Sequence, residues 1–110
     1  MTETFKKNDG EKNRLDLLQP DFIEAMGWVL TFGARKYSPD NWKKGTPERY
    51  RAALLRHTFA YLKGELLDPE SGLPHLAMIG VNAMFLSWFE SWFNRPNKKI
   101  DSPSDPSSNP

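Results

Sequence analysis

The stretch from Pro74 to Asn94 constrains the fold more than any other part of the chain. Leu76, Ile79, Val81, Met84, Phe85, Leu86, Trp88, Phe89, Trp92 and Phe93 fall around the whole circumference of a helix rather than along one stripe. A helix that is apolar on every side has to be central to its domain or shared with another chain. In 110 residues there is too little chain to surround it, so a homo-oligomer built around the 74–94 helix is expected. The run is interrupted by His75, Asn82 and Glu90, and the N-terminus has no apolar core of signal-peptide length. No membrane span is expected, and the chain reads as soluble and cytoplasmic.

Two further helices precede it. Pro20 suits a first helical turn, where a proline loses no hydrogen bond, and a helix runs from there to about Lys36 with Phe22, Met26, Val29 and Leu30 as its buried stripe. YSPDNWKKGTP, residues 37 to 47, carries turn formers and reads as a loop. Thr46 as N-cap, Pro47 at the first position and Glu48 near the positive helix end start a second helix, which extends to Gly64 or slightly past it. Tyr50, Ala53, Leu54, His57 and Tyr61 share one of its sides. Asp68-Pro69 and Ser71-Gly72 mark the next turn. Nothing reads as a strand. The expectation is an all-α fold, a small bundle of about three main helices with long loops, as one domain over residues 1–94. Residues 95–110, rich in proline, serine and aspartate, are expected to form a disordered tail.

Fifteen basic against fourteen acidic residues leave a net charge of +1, so no global field argues for nucleic acid or an anionic membrane. Local binding through Arg35, Lys36, Lys43 and Lys44 is the weaker nucleic-acid reading. The chain has no cysteine, which excludes disulfides, thiolate nucleophiles and zinc fingers. A metal would be held by oxygen and imidazole, a chemistry that favours Mg²⁺ or Mn²⁺.

If the second helix continues one turn beyond Gly64, His57, Tyr61, Glu65 and Asp68 follow at steps of four, four and three on one face. Two carboxylates three positions apart can reach one divalent cation, and Glu70 lies just past the turn. A short antiparallel connection would set His75 beside Glu65 and Asp68, with Asn82 nearer His57. Each of these residues also has a structural reading. A Glu-x-x-Asp pair often forms a solvated face, and His57 fits a core histidine. Asn82 needs a partner or a function, because an unpaired buried amide costs about 1–3 kcal/mol. Arg35 and Lys36 complement the end of the first helix, and Trp42 in its loop suits either stacking on a nucleobase or plugging an apolar gap. Walker A, GxGxxG, HExxH and GxSxG motifs are absent from the sequence.

RLDLLQPDF, FGARKYSPDNWKKG and RYRAALLRHTFAYLKGELLDPESGLPHLAMIGVNAMFL together resemble the consecutive blocks of the phage and prophage dATP/dGTP diphosphohydrolase N-terminal domain family over about residues 8 to 90. That family is similar to the all-α nucleotide pyrophosphohydrolases of the MazG type. The resemblance implies a magnesium-dependent cut between the α and β phosphates of a deoxynucleoside triphosphate, with purines as the bases, releasing monophosphate and pyrophosphate. It also implies that Glu65 and Asp68 are the metal-binding acidic pair, with His75 as a further ligand. His57 and Glu70 are candidates for the catalytic base. Asn82, Lys12, Arg14, Arg35, Lys36, Asn41 and Trp42 fall in nucleotide-facing blocks. MazG-type enzymes carry a second acidic pair, where this chain has His75-x-x-Met78. In longer members another domain follows, so a non-catalytic nucleotide-binding or protein-interaction module is the alternative.

Overall fold

The structure is a computed structural model in which residues 12–90 are described. The chain divides into two compact units, Met1–Leu18 with Lys99–Pro110, and Gln19–Lys98. Among the described residues the first unit contributes a 3-10 turn, Leu15–Leu17, where the Arg14 guanidinium donates to both oxygens of Asp16 at 2.8 and 2.7 Å.

The second unit holds three helices: α1 (Pro20–Lys36), α2 (Pro47–Leu62) and α3 (His75–Phe89). α1 has the expected bounds, with Pro20 at its start, Asp21 in the first turn and Arg35 and Lys36 in the last, all complementing the helix dipole. The 37–46 connection is not wholly irregular: Asp40 takes a left-handed conformation at φ 61° and opens a 3-10 turn, Asn41–Lys44. Thr46 does occupy the N-cap of α2, but its side chain makes no capping hydrogen bond.

α2 stops earlier than the periodicity of its polar residues suggested. Gly64 adopts φ 99°, its N–H bonds to the Tyr61 carbonyl, and the Glu65 N–H reaches back to the Ala60 carbonyl. These are the two reverse bonds of a Schellman C-cap, which consumes the last carbonyls and prevents a further turn. Glu65 and Asp68 therefore lie in a loop, not on a helical face. That loop folds back on itself: Asp68 N–H bonds to Leu73 O at 2.8 Å and His75 N–H to Leu66 O at 3.0 Å, around a lone bridge between Leu67 and Pro74. No strand forms among the described residues beyond that bridge.

α1 and α2 both pack against α3 and share no comparable contact with each other. α3 is thus central, as its composition demanded, and it buries His75, Ala77, Met78, Val81 and Asn82. α1 crosses it at Gly80, where a Cβ would sit 2.7 Å from Met26 Sδ and 3.2 Å from Phe22 Cζ. Leu76, Met84 and Trp88 of α3 remain exposed in the single chain. The described helix ends at Phe89, with Glu90 extended. The expected continuation over 91–94 and the tail over 95–110 lie outside the described residues. Among those described, no helix is long and apolar enough to cross a membrane.

Candidate metal centre and adjoining cavity

Two imidazoles and two carboxylates meet where α2 ends and α3 begins. His57 comes from the inward side of α2, His75 is the first residue of α3, and Glu65 and Asp68 come from the folded loop between them. His75 is 3 % exposed. Its Nδ1 lies 2.8 Å from His57 Nδ1 and its Nε2 lies 2.7 Å from Glu65 Oε1.

These two contacts constrain the tautomers. A carboxylate only accepts, so His75 Nε2 carries the hydrogen donated to Glu65. The Nδ1–Nδ1 contact needs one hydrogen between the two rings. Burial, and after it the neighbouring His75, holds the His57 pKa below the ordinary imidazole value, which keeps the pair from carrying two charges.

Asp68 is fixed by its own turn. Its Oδ2 accepts from the Ser71 N–H at 3.0 Å and from the Ser71 hydroxyl at 2.9 Å, and Ser71 Oγ in turn accepts from the Leu73 N–H at 3.1 Å. One ligand-capable atom from each of His57, Asp68 and His75 lies within 4.8 Å of the other two. Among the described residues Glu65 does not join that set. It was expected as a ligand, and its observed partner is the far nitrogen of His75.

A cavity of about 830 Å³ opens beside this cluster, bounded by the C-terminal half of α1, the 37–45 segment and the facing sides of α2 and α3. His57 and Asn82 both reach its wall. That volume lies in the range of small-molecule sites. Lys36, Lys44 and Arg49 add cationic groups to the lining, and Val29, Leu30 and Phe32 add apolar ones. Asn82 is buried and donates from Nδ2 to the Met78 carbonyl at 2.9 Å, while its Oδ1 accepts no hydrogen bond among the described residues.

The other expected site residues separate. Lys36 lines the cavity but is tied to Glu70 at 2.7 Å, and that hydrogen bond, then the Glu70 charge, raises its pKa. Arg35, one position earlier on the helix, is absent from the lining and stacks over the Trp28 ring at 5.9 Å. Asn41 lies on the cavity wall. Trp42 contributes to the wall too, but its ring stacks on Phe85 with centroids 4.5 Å apart and meets Trp88 edge-on at 5.2 Å. Of the two readings open for it, the apolar plug is the one its contacts describe. Lys12 and Arg14 belong to the other unit. Two contributors were not singled out from the sequence: Ser71, which orients Asp68, and Tyr50, whose hydroxyl bonds the Trp42 carbonyl; Arg49 was one of the basic residues of the second helix and lines the cavity. The Asp-x-x-Ser spacing was a signal for the first, since such pairs form side-chain turns.

The family described as dATP/dGTP diphosphohydrolase, N-terminal, matches residues 2–99. A dATP/dGTP diphosphohydrolase of Salmonella phage PMBT28 is 37 % identical over 90 residues, covering 82 % of this chain and 30 % of that protein. The chain thus spans under a third of the length of the curated relative it matches. No solved structure matches it.

Proposed function

The chain belongs to the dATP/dGTP diphosphohydrolase N-terminal family, and on that premise we propose that it hydrolyses a purine deoxynucleoside triphosphate to monophosphate and pyrophosphate with a divalent cation. The observation that carries the proposal is the convergence of His57, His75 and Asp68 beside a cavity with three cationic side chains. Of the two cations expected, Mg²⁺ fits this donor set less well, since it takes oxygen ligands in near-ideal octahedral geometry and dehydrates reluctantly. A cation held by these three residues would polarise phosphoryl oxygens and acidify a bound water.

The chain's own groups supply the rest. Lys36, Lys44 and Arg49, which line the cavity, would neutralise the triphosphate, Arg49 as a two-pronged donor. The wall of Val29, Leu30 and Phe32 keeps water from base and sugar, and Asn82 Oδ1 offers an acceptor to an amino or hydroxyl group of the ligand. Lys36 leaving Glu70 for a phosphate would free a carboxylate at the cavity rim. This substrate class fits a phage-encoded protein acting in the host cytoplasm. Exposed Leu76, Met84 and Trp88 on α3, with Leu55, Phe59 and Leu62 at helical spacing on α2, support the homo-oligomer, which sedimentation of the full chain reads directly.

The test is pyrophosphate release from each dNTP and from GTP, with Mn²⁺, with Mg²⁺ and with chelator. Metal-dependent release from dATP or dGTP, abolished in Asp68→Asn, is expected; full activity in Asp68→Asn would refute the site. The second reading, a nucleotide-binding module without turnover, is favoured by Met78, a thioether one turn after His75 where the resemblance expects an acidic pair. Binding without release would establish it.

A further inference from the structure

We propose that the cation this site takes is a transition metal, bound through Nδ1 of His57, Nδ1 of His75 and a carboxylate oxygen of Asp68, with Glu65 as a positioning residue acting through His75. This rests on the metal reading above and departs from the magnesium that the resemblance implies. Three observations lead to it.

The donor set comes first. Imidazole suits Fe²⁺, Ni²⁺, Cu²⁺ and Zn²⁺, and Co²⁺ lies between Fe²⁺ and Ni²⁺ in the divalent affinity order, whereas Mg²⁺ takes oxygen ligands and retains its waters. A site whose converging atoms are two nitrogens and one oxygen discriminates against the harder ion.

Second, the two Nδ1 atoms stand 2.8 Å apart. In the metal-free chain that distance requires a proton between them. It is also near the roughly 3.0–3.4 Å that separates adjacent nitrogens on one ion with bonds of ~2.1 Å at octahedral to tetrahedral angles, so a metal can replace the proton with a small turn of the two rings.

Third, Glu65 sits on the opposite ring nitrogen of a buried histidine, 2.7 Å from Nε2. Metal-bound histidines commonly donate their remaining N–H to a carboxylate, which fixes the tautomer and strengthens the ligand. Ser71 restrains Asp68 in the same way. The loop thereby sends one carboxylate to the cluster and one behind it.

Co²⁺ titration of the full chain without nucleotide tests this, following visible absorption, with Mg²⁺ as competitor and circular dichroism as the folding control. Expected are one Co²⁺ per chain with nitrogen ligation, bound at least tenfold more tightly than Mg²⁺. Asp68→Asn should abolish the site. Glu65→Gln should keep one site and weaken it about 10- to 100-fold. The proposal is overturned if Mg²⁺ binds as tightly, or if Glu65→Gln either leaves the affinity unchanged or abolishes binding as a lost ligand would. If Glu65→Gln does not fold, imidazole ¹⁵N shifts of the unaltered chain with Zn²⁺ decide: coordination at Nδ1 of both histidines with the His75 Nε2–H retained supports it, and coordination through His75 Nε2 refutes it. Because no nucleotide is present, metal binding without hydrolysis leaves this inference standing while the hydrolase reading falls, and magnesium-only hydrolysis does the reverse.

Discussion

Replacing Trp42 with alanine separates the two uses that a tryptophan beside lysines can have. Its ring stacks on Phe85 at 4.5 Å and an interplanar angle of 20°, with Trp88 edge-on at 5.2 Å and Phe89 at 6.4 Å. Truncating a large aromatic side chain in a packed cluster costs about 3–5 kcal/mol. Trp42 is only half-buried, which places the expected loss at the lower end, about 3 kcal/mol. In a domain of this size each kcal/mol lowers the melting midpoint by roughly 4–8 °C. Urea and thermal unfolding followed by far-ultraviolet circular dichroism, at fixed protein concentration, read the effect. A double-mutant cycle with Phe85→Ala should return a coupling of about 0.5–1.5 kcal/mol from the stacked pair. Trp42→Phe should retain most of the stability and the nucleotide affinity. The reasoning is refuted if Trp42→Ala unfolds at the midpoint of the unaltered chain while its affinity for deoxynucleotides falls tenfold, since the ring would then serve the ligand and not the core.

Gly80→Val drives a branched side chain into Met26 and Phe22 and should cost about 1–3 kcal/mol in thermal unfolding; an unmoved midpoint would mean that α1 does not cross α3 there. Lys36→Met removes the exposed pair with Glu70 and should leave the melting midpoint where it is while weakening triphosphate binding, whereas a lower midpoint with intact binding would make the pair structural. The metal-free chain should lose stability in acid. Burial lowers the folded-state pKa of His57 from 6.5, so the unfolded chain takes up the proton first. The His57 contribution is complete above about pH 6.5 and is lost as pH falls toward the folded-state value. Urea midpoints between pH 8 and 5 measure it, and His57→Asn should flatten the slope; a midpoint that rises on acidification would contradict the assignment.

How far the sequence was legible follows from what kind of signal each residue carries. α1 was readable to the residue because Pro20 and the Arg35-Lys36 pair are local signals that no tertiary contact overrides. The end of α2 was not. The spacing of His57, Tyr61, Glu65 and Asp68 suggested a continuing face, but Gly64 between them is the residue that most readily takes the positive φ of a Schellman cap. Periodicity and a terminator competed, and the terminator won. The side chains of Arg35 and Lys36 were indistinguishable by type, yet adjacent positions on a helix point about 100° apart. One stacks on Trp28 and the other reaches the cavity. Trp42 could not be resolved because its partners, Phe85 and Trp88, lie more than forty positions away.

The cluster brings together residues that the helical periodicity had grouped on a different geometry. Glu65 would share a helical face with Asp68 only if α2 continued past Gly64, which it does not; the capped end of α2 and the folded loop bring it to His75 by another route. That route changes its chemistry. On a continuous helix Glu65 and Asp68 would point the same way and present two equivalent oxygen ligands. In the loop they are held by different restraints, Glu65 by His75 Nε2 and Asp68 by Ser71. The imidazoles sit on helices packed against each other, so their separation is set by the α2–α3 interface, whereas the carboxylates sit on a segment closed by its own backbone hydrogen bonds. Rigid elements fix the spacing of the nitrogens and the loop chooses which carboxylate faces the cluster. That division replaces the expected set of Glu65, Asp68 and His75 by one in which His57, Asp68 and His75 converge and Glu65 stands behind His75.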